Sequence, residues 1–546
     1  MAMNLRTNPF YLSDCEEKWV YDTLAELSLK EKIGQLFCVL GTIYSDEELS
    51  RLVSDYNIGA VLFRPDSTKK LIERYRIIDK VSQIPLLKAA NLEEGGVGAV
   101  SDGTYFGWPM QVAATKDTEC ARDFARVCAE EGGATGVNWT FSPVCDLDLN
   151  FRNPITNVRS FGSDTDAVEA MVSAYVEEIQ RQGVAACAKH FPGDGHDFRD
   201  QHLHATVNGL SADEWYTSYG RIYKTLISQG LLSIMVGHIK QPAVEMEVDP
   251  FLTFEDCLPA SLSKPLMTGV LRQKYGFNGV ITTDATIMAG YTQAMRRADA
   301  IPTTIAAGAD MLVFSTDIYE DIEFMLDGVR RGIVTEERID EAVTRILALK
   351  AVNARGTRPQ KVTSKETVTE LCSNKAITLV KNRADILPAT PQKYPKIRLI
   401  TLGNDCVEGE KISTFAKHEL EKRGFSVEIY VREEDDMHGV GTLDEGRLTL
   451  YFANEETASN RTTVRLDWNP RHAMDTPRHI HEEPSIFVSL YNPYHLQDVP
   501  AVKLYINAYT PTKINVLNVI KKLCGESEFM GTSPVDAFCG LIDTRY

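Results

Sequence analysis

The sequence predicts a (β/α)8 TIM barrel followed by a second, smaller α/β domain. Two observations support this fold class. Short apolar runs alternate with longer amphipathic stretches through the first two thirds of the chain, which is the pattern of a parallel sheet covered by helices. Ionisable residues also gather at the ends of several of these runs, where barrel enzymes build their sites.

Eight apolar runs are candidate barrel strands. Each is bounded by turn residues and is apolar on both faces, as buried parallel strands are. The intervening stretch DAVEAMVSAYVEEIQRQ (166–182) has apolar residues recurring at three and four positions, and it predicts a helix. The eight runs are IGQLFCVL (33–40), IGAVLF (58–63), PLLKAAN (85–91), VNWTFSPVCD (137–146), VAACAKH (184–190), LLSIMVGH (231–238), GVITTD (279–284) and ADMLVF (309–314).

The predicted domain division follows from a change of composition. Residues 1–351 are predicted to form the barrel. Residues 352–366, VNARGTRPQKVTSKE, lose apolar periodicity and become basic and polar, as a linker would. Residues 367–546 form the second domain, in which helical KISTFAKHELEKRG and KINVLNVIKKLCG alternate with six strand-like segments: KAITLVK, KIRLITLG, FSVEIYV, LTLYFA, SIFVSLY and VKLYINAY.

Charge and composition argue against several classes of partner. The 546 residues include 58 Lys and Arg against 76 Asp and Glu, a formal net charge of −18, which repels nucleic acid and anionic membrane surfaces. No apolar run is long enough for a membrane span, and the N-terminus lacks the pattern of a signal peptide. The 11 cysteines are dispersed, as reduced core thiols are. We therefore predict a cytoplasmic protein; its oligomeric state stays open.

The ends of the fifth, sixth and seventh runs carry the first candidate site residues. Lys189 and His190 end the fifth run, His238 ends the sixth and Asp284 ends the seventh. Because the C-terminal ends of barrel strands open onto one mouth, these side chains are expected to lie close together. The alternative for Asp284 is that it caps the N-terminus of the following helix.

The stretch AKHFPGDGHDFRDQHLH (188–204) concentrates four histidines and three aspartates. A solvated loop without function is one alternative. A metal site is another, but the histidine spacing matches no zinc motif, and we predict no metal and no cofactor. Asp200 and His202 are two residues apart, so on an extended segment their side chains point the same way. The carboxylate can then fix the imidazole tautomer, which makes His202 a candidate general acid and base.

Three stretches of the chain resemble the signature of family 3 glycoside hydrolases, and more narrowly of their bacterial β-N-acetylglucosaminidase branch. They are KHFPGDGHDFRDQH (189–202), PASLSKPLMTGVLRQKYGFNGVITTDATIMAG (259–290) and NPITNVRSFG (153–162). The resemblance begins near residue 28, runs through the predicted barrel and continues into the second domain.

The resemblance implies a role for each matching position. Asp284 corresponds to the nucleophile that forms a covalent glycosyl-enzyme. His202 and Asp200 correspond to a His/Asp dyad that serves as acid and base in this branch. The resemblance further implies four residues that bind the terminal sugar or face its pocket: Lys189, His190, Arg159 and His238.

One motif departs from the family pattern. Where the family commonly has Asp-Gln-Glu-Gly-Gly-Arg after the third strand, this chain has AANLEEGGVG (89–98), with Asn91 or Leu92 in register with the Asp. The usual carboxylate contact to the sugar is therefore expected from Asn91 or Glu93 instead. The absence of an arginine after Gly96 argues against a preference for acidic, peptide-bearing murein fragments.

Three functional hypotheses follow. The first is a retaining exo-glycosidase that removes terminal β-linked N-acetylglucosamine from a small carbohydrate. The second is a phosphorylase of β-N-acetylglucosaminides or β-glucosides on the same residues, because a histidine that has given up its proton is neutral and does not repel phosphate. The third is a non-catalytic sugar-binding protein on the same fold. The sequence leaves the acceptor and the preferred sugar open.

Overall fold

The computed structural model describes residues 3–356, 361–362, 364–431, 443–444, 446–468 and 472–546. These residues form two compact units. The first comprises residues up to Phe106, Ala121–Asn150 and Val168–Thr363, and the second comprises Gly107–Cys120, Phe151–Ala167 and Ser364–Tyr546. Each unit is described separately below. No helix in the described part of the chain is both long enough and apolar enough to cross a membrane.

The first unit contains a closed barrel of eight parallel strands, in the order β1-β10-β9-β7-β5-β4-β3-β2. All eight predicted strands are present, so the predicted barrel is confirmed. The barrel strands are β1 (Phe37–Leu40), β2 (Ala60–Leu62), β3 (Leu87–Ala90), β4 (Trp139–Thr140), β5 (Ala185–Phe191), β7 (Ser233–Val236), β9 (Val280–Ala285) and β10 (Met311–Val313). A separate two-stranded ladder pairs β6 (Thr206–Val207) with β8 (Ile239–Lys240).

Six of the eight strands are shorter than their apolar runs, and the runs at 33–40 and 137–146 illustrate the difference. The run at 33–40 begins inside α2 (Leu29–Gln35), because Ser28 and Glu31 form a capping box that starts a helix there. The buried residue Ile33 belongs to this helix. The run at 137–146 is a strand only at Trp139–Thr140. Apolar runs of this length are ambiguous between strand and buried helix, which explains the difference in the first case.

Helices surround the barrel strands along the chain. The predicted helix at 166–182 is α7, whose buried face includes Val168, Val172 and Ile179. A π-helix at Pro265–Lys274 precedes β9. The α-helices of this part of the chain are α1 (Asp14–Glu26), α2, α3 (Asp46–Tyr56), α4 (Thr68–Val81), α6 (Thr118–Thr135), α7 (Thr165–Arg181), α8 (Ala212–Thr217), α9 (Tyr219–Ser228), α10 (Pro242–Val248), α11 (Ala289–Thr292), α12 (Arg297–Ala307), α13 (Ile318–Arg330) and α14 (Glu336–Ala354).

Just before β10, a buried aspartate binds arginines of two helices, the π-helix at Pro265–Lys274 and α14. Asp310 accepts hydrogen bonds or ion pairs from Arg272, Arg338 and Arg345 at 2.5, 2.8 and 3.3 Å. The Asp310 side chain is fully buried. Burial by itself raises the pKa of this carboxyl, but the three guanidinium groups outweigh burial and lower it. The cluster lies at the N-terminal end of the strand, where barrel residues contribute to stability.

The second unit is built around a six-stranded sheet in the order β11-β16-β15-β14-β12-β13. Every pairing is parallel except β11 with β16, which is antiparallel. The strands are β11 (Thr378–Asn382), β12 (Lys396–Gly403), β13 (Ser426–Ile429), β14 (Arg447–Asn454), β15 (Ser485–Ser489) and β16 (Leu504–Asn507). The helices are α5 (Pro109–Ala114), α15 (Lys365–Ala376), α16 (Ile412–Glu421) and α17 (Lys513–Leu523).

Both faces of this sheet are buried. One face contributes Leu399, Leu450 and Ile486 to an aliphatic core. On the other face, the ring of Phe487 is stacked on neighbouring tyrosines of β14 and β16 at 5.6 and 5.7 Å. The six predicted segments are all strands, and a second α/β domain is therefore confirmed.

The predicted domain boundaries stay a prediction. Residues 357–360 and 363 of the predicted linker lie outside the described residues. Two segments within predicted barrel residues 1–351, Gly107–Cys120 and Phe151–Ala167, belong to the second compact unit.

Candidate functional site

Adjacent barrel strands β5, β7 and β9 carry the predicted site residues at or just beyond their C-terminal ends. Lys189 and His190 lie near the end of β5, His238 follows β7, and Asp284 is the penultimate residue of β9. Because β5, β7 and β9 are neighbours in the barrel and run parallel, their C-terminal ends lie side by side. The strand order therefore places these four residues at the same end of the barrel.

Asp284 is held ready to act as an anion. Its Oδ1 accepts a hydrogen bond from the backbone N–H of Ala285 at 2.7 Å, and its side chain is 15% exposed. Burial by itself raises the pKa of this carboxyl, but neighbouring histidines outweigh burial and lower the pKa of Asp284 to about 2. In order of effect, these are His190, His238 and His202. An ionised carboxylate with a solvent-accessible oxygen is what a nucleophile requires.

His190 lies between two carboxylates. Its Nδ1 is 2.7 Å from Oδ2 of Asp146, and its Nε2 is 3.9 Å from Oδ2 of Asp284. The other oxygen of Asp146 accepts the backbone N–H groups of His190 and Asp194, at 3.1 and 2.8 Å. Of the three histidines, His190 has the largest effect in lowering the pKa of Asp284.

Asp146 was missed by the sequence reasoning, although a signal was present. It ends the fourth apolar run, VNWTFSPVCD, just as the other candidates end theirs. Its side chain is 1% exposed, and its two oxygens hold both the ring and the backbone of His190. Applied evenly, the rule that selected the ends of the fifth, sixth and seventh runs would have selected it too.

Lys189 is paired with the motif that departs from the family pattern. Its Nζ forms a very short ion pair with Oε1 of Glu93 and lies 3.4 Å from Oδ1 of Asn91. Lys189 and Glu93 are both buried. Asn91 and Glu93, the two expected substitutes for the family's aspartate, therefore lie together beside Lys189. Three polar groups with complementary charge at a barrel mouth are suited to binding sugar hydroxyls.

Asp200 and His202 are in direct contact. Oδ1 of Asp200 is 2.6 Å from Nδ1 of His202 and also accepts the backbone N–H of His202 at 2.8 Å. Asp200 is buried, whereas the His202 ring is 25% exposed. The predicted extended segment is wrong: Leu203 N–H donates to the Asp200 carbonyl at 3.0 Å, which closes a turn. An aspartate that bonds the backbone two residues on stabilises such a turn, so the contact forms by another geometry.

His238 is fully engaged by its surroundings. Its Nδ1 lies 2.9 Å from Oγ of Ser261, and its Nε2 lies 3.0 Å from the carbonyl oxygen of Ala285. The side chain is fully buried, and burial lowers the pKa of the ring although Asp284 opposes this effect. Nε2 donates to the carbonyl of Ala285, and Nδ1 shares a hydrogen bond with the hydroxyl of Ser261. His238 therefore braces the strand of Asp284.

Arg159 lies in the second compact unit, in a 3-10 turn at Asn157–Arg159. Its Nη1 donates to the carbonyl of Ile155 at 3.1 Å. Arg159 is not one of the barrel residues described above, and its role in binding sugar stays a prediction.

Three other ionisable residues of the loop, Asp197, Arg199 and His196, bind one another or the backbone. Arg199 pairs with Asp197 at 2.6 Å, and Asp197 also accepts the backbone N–H of Val207 at 3.0 Å. Nδ1 of His196 accepts the backbone N–H of Gly209 at 3.3 Å. Among the described residues, no three His, Cys, Asp or Glu side chains are arranged to hold a metal ion.

The chain matches known proteins along its whole length. A family model described as "Glycosyl hydrolase family 3 N terminal domain" matches residues 28–349. A "Beta-N-acetylglucosaminidase/beta-glucosidase" of Cellulomonas fimi is 40% identical over 100% of both chains. A solved structure described as "Beta-glucoside phosphorylase BglX bound to 2FGlc" is 42% identical, covers 98% of this chain and 99% of that chain, and has a TM-score of 0.92.

More distant relatives agree on the family. The "Beta-hexosaminidase LpqI" of Mycobacterium tuberculosis is 28% identical and covers 60% of this chain and 84% of its own length. The family model spans the barrel strands and every candidate residue assigned to the barrel mouth. The chain therefore belongs to glycosyl hydrolase family 3 and is an enzyme that acts on β-linked glycosides.

Proposed function

We propose that this enzyme removes the terminal β-linked sugar of a small glycoside by a retaining double displacement. Asp284 is the nucleophile, and His202, oriented by Asp200, is the acid and base. The observation that carries the proposal is the pairing of an ionised Asp284, whose pKa is about 2, with a partly exposed His202 bound to a buried Asp200. A retaining mechanism requires these two groups: a nucleophile and a separate proton donor.

In the first step, the carboxylate of Asp284 attacks the anomeric carbon as the bond to the leaving oxygen breaks. A cationic His202 donates its Nε2 proton to that oxygen, and the aglycone leaves as an alcohol. The ring is then neutral, and Asp200 keeps the remaining proton on Nδ1, 2.6 Å away. The products are the free aglycone and a glycosyl ester of Asp284. Fixing the tautomer in this way presents Nε2 to the reacting atoms.

In the second step, an acceptor attacks the anomeric carbon from the side that the aglycone left. Water needs a base, and the neutral Nε2 of His202 takes its proton; the carboxylate of Asp284 is released with the sugar. The two inversions restore the β configuration. This sequence describes the hydrolase, which is our first candidate.

Phosphorolysis is the second candidate, and two observations favour it. A glutamate in the position of His202 would be anionic after the first step and would repel phosphate by about 4 kcal/mol at 4 Å in an effective dielectric of about 20. A neutral histidine imposes no such barrier. In addition, the 42% identical structure that covers 98% of this chain is described as a β-glucoside phosphorylase. An oxygen of phosphate then attacks the anomeric carbon of the glycosyl ester, the carboxylate of Asp284 leaves, and the product is a β-sugar 1-phosphate.

The sugar is expected to be N-acetylglucosamine or glucose. The relative that is 40% identical over 100% of both chains carries both activities in its name. Lys189, His190, Asn91 and Glu93 are proposed to bind the hydroxyl groups that the two sugars share. The polar groups described at the barrel mouth do not distinguish a 2-acetamido group from a hydroxyl.

One experiment separates the acceptors. The enzyme is incubated with p-nitrophenyl β-N-acetylglucosaminide or β-glucoside at several phosphate concentrations, and sugar products are followed by phosphorus and proton NMR. Free β-sugar alone at every concentration supports the hydrolase and contradicts phosphorolysis. A β-sugar 1-phosphate that grows with phosphate makes phosphate the acceptor. An α-configured first product contradicts the double displacement altogether.

A second experiment identifies the nucleophile. An activated 2-deoxy-2-fluoro-β-glucoside slows the second step, so that the glycosyl-enzyme accumulates, and proteolysis with mass spectrometry then locates the labelled peptide. We expect the label on the peptide that contains Asp284, and none after Asp284→Asn. A label on another carboxylate would contradict the assignment.

A further inference from the structure

The residue between Asp200 and His202 is itself anchored to the barrel. Gln201 is fully buried, and its side-chain Oε1 accepts the backbone N–H of His238 at 2.7 Å. Its Nε2 has no hydrogen-bond partner among the described residues. The approach is close, because a Cβ on Gly237 would lie 2.9 Å from the same Oε1. A glutamine on the loop therefore holds the chain at the end of β7.

The same loop also rests on the helix that follows Asp284. The carbonyl oxygen of His202 accepts the backbone N–H of Ala289, the first residue of α11, at 3.0 Å. At the next residue, Gly290, a Cβ would lie 2.5 Å from the carbonyl oxygen of Gln201 and 2.9 Å from Cβ of His238. A Cβ at 2.5 Å from a backbone atom requires the backbone to move. Only glycine permits this approach.

His238 links the Gln201 contact to β9, the strand that carries Asp284. Its backbone N–H is bound by Gln201, while its ring Nε2 is 3.0 Å from the carbonyl of Ala285, the residue after Asp284. Two contacts therefore position the loop that carries His202 relative to the strand that carries Asp284. One runs from Gln201 through His238 to Ala285, and the other is the close approach of Gln201 to Gly290.

We propose that Gln201 and Gly290 are positioning residues that fix the His202 ring relative to the Asp284 carboxylate. The inference rests on the proposed function. Neither residue touches the reacting atoms, so their loss does not remove chemistry. It lets the loop of Asp200 and His202 move, and a misplacement of about 1 Å costs a rate factor of up to about 100 where proton transfer is required.

The consequence is selective. A leaving group that is a stable anion departs without a proton, whereas a sugar alcohol needs the proton of His202. Loosening the loop should therefore slow the first step for poor leaving groups and spare it for good ones. A residue that only stabilises the fold would affect all substrates alike.

The test uses the full-length enzyme and aryl β-glycosides with a series of leaving groups, together with a natural disaccharide. In Gln201→Met we expect kcat/KM to fall at least tenfold for the disaccharide and less than threefold for the 2,4-dinitrophenyl substrate. Gly290→Ala should show the same pattern, and Gln201→Glu, which keeps the acceptor oxygen, should recover part of the loss. If Gln201→Met fails to fold, Gly290→Ala tests the proposal in its place.

Gln180→Met is the matched control. Oε1 of Gln180 accepts the backbone N–H of Leu232 at 3.0 Å, just before the start of the same strand β7. This variant loses that hydrogen bond, together with the one from Nε2 of Gln180 to the carbonyl of Gly230 at 3.0 Å, at the opposite end of the barrel. Any effect on kcat/KM should therefore be equal across leaving groups.

His202→Ala distinguishes a failure of the positioning inference from a failure of the proposed function. If His202→Ala is selective for poor leaving groups but Gln201→Met and Gly290→Ala lower all substrates equally, or change none, the positioning inference is overturned and the proposed function stands. If His202→Ala itself shows no selectivity, the acid assignment and the inference fall together.

Discussion

The contact between His190 and Asp284 offers the sharpest test of how this site lowers the pKa of Asp284. The variant is His190→Gln, which keeps a polar side chain of similar length and removes the imidazole. In the structure, Nε2 of His190 lies 3.9 Å from Oδ2 of Asp284. A unit charge at this distance, in an effective dielectric of about 20, contributes about 4 kcal/mol, which corresponds to about 3 pH units.

We expect the pKa of Asp284 to rise in His190→Gln. The histidines lower the pKa of Asp284 to about 2, so the loss of the strongest contributor raises that pKa to at most about 5. The remaining histidines and entering water reduce the shift. Because the nucleophile must be ionised, activity is lost as pH falls through this pKa. The acid limb of the pH profile should therefore move upward.

The assay is kcat/KM for an aryl β-glycoside between pH 4 and pH 8, since this parameter reports the ionisations of the free enzyme. Asp284 should contribute no acid limb to the parent enzyme above pH 4, whereas His190→Gln should lose activity with a midpoint approaching pH 5. His196→Gln is the matched control, because His196 lies in the loop that follows β5 and binds the backbone of Gly209. An unchanged acid limb in His190→Gln, with circular dichroism constant over the range, would refute the electrostatic reasoning.

Three further predictions concern the sugar contacts, the dyad and stability. Glu93→Gln removes the ionic partner of Lys189 and should lower kcat/KM for β-glucosides at least tenfold in initial-rate assays; an unchanged value would contradict a role in binding. His202→Ala should accumulate the glycosyl-enzyme on 2,4-dinitrophenyl substrates, seen by mass spectrometry, and Asp200→Ala should do so more weakly. Asp310→Asn leaves three buried guanidinium groups with a weaker partner and should cost about 3 to 5 kcal/mol in urea unfolding; a loss below about 1 kcal/mol would contradict this.

The barrel was predictable because its determinants are local. Each strand is a short apolar run bounded by turn residues, and its burial on both faces is visible in the sequence itself. The strand ends could be misjudged where a second local signal competes, as at the capping box of Ser28 and Glu31, which converts the start of the first run into a helix. The membership of Phe151–Ala167 in the second unit depends on contacts with distant residues, which periodicity does not record.

The candidate site was also predictable only in part. Lys189, His190 and Asp284 could be singled out because they end apolar runs. The ion pair of Lys189 with Glu93 joins residues 96 positions apart. Local sequence patterns do not predict which carboxylate a buried lysine will bind. The contact between Asp200 and His202 was anticipated, but through an extended segment where the structure has a turn, because spacing alone does not distinguish an extended segment from a turn closed by an aspartate.

The two His/Asp pairs of this site share one chemistry and differ in exposure, and this difference suits them to different roles. The ring of His190 is 6% exposed and has a carboxylate facing each of its nitrogens. The ring of His202 is 25% exposed and has a carboxylate only at Nδ1, so Nε2 is open to a leaving oxygen or to water. In the proposed mechanism, His190 therefore lowers the pKa of Asp284, while His202 moves the proton.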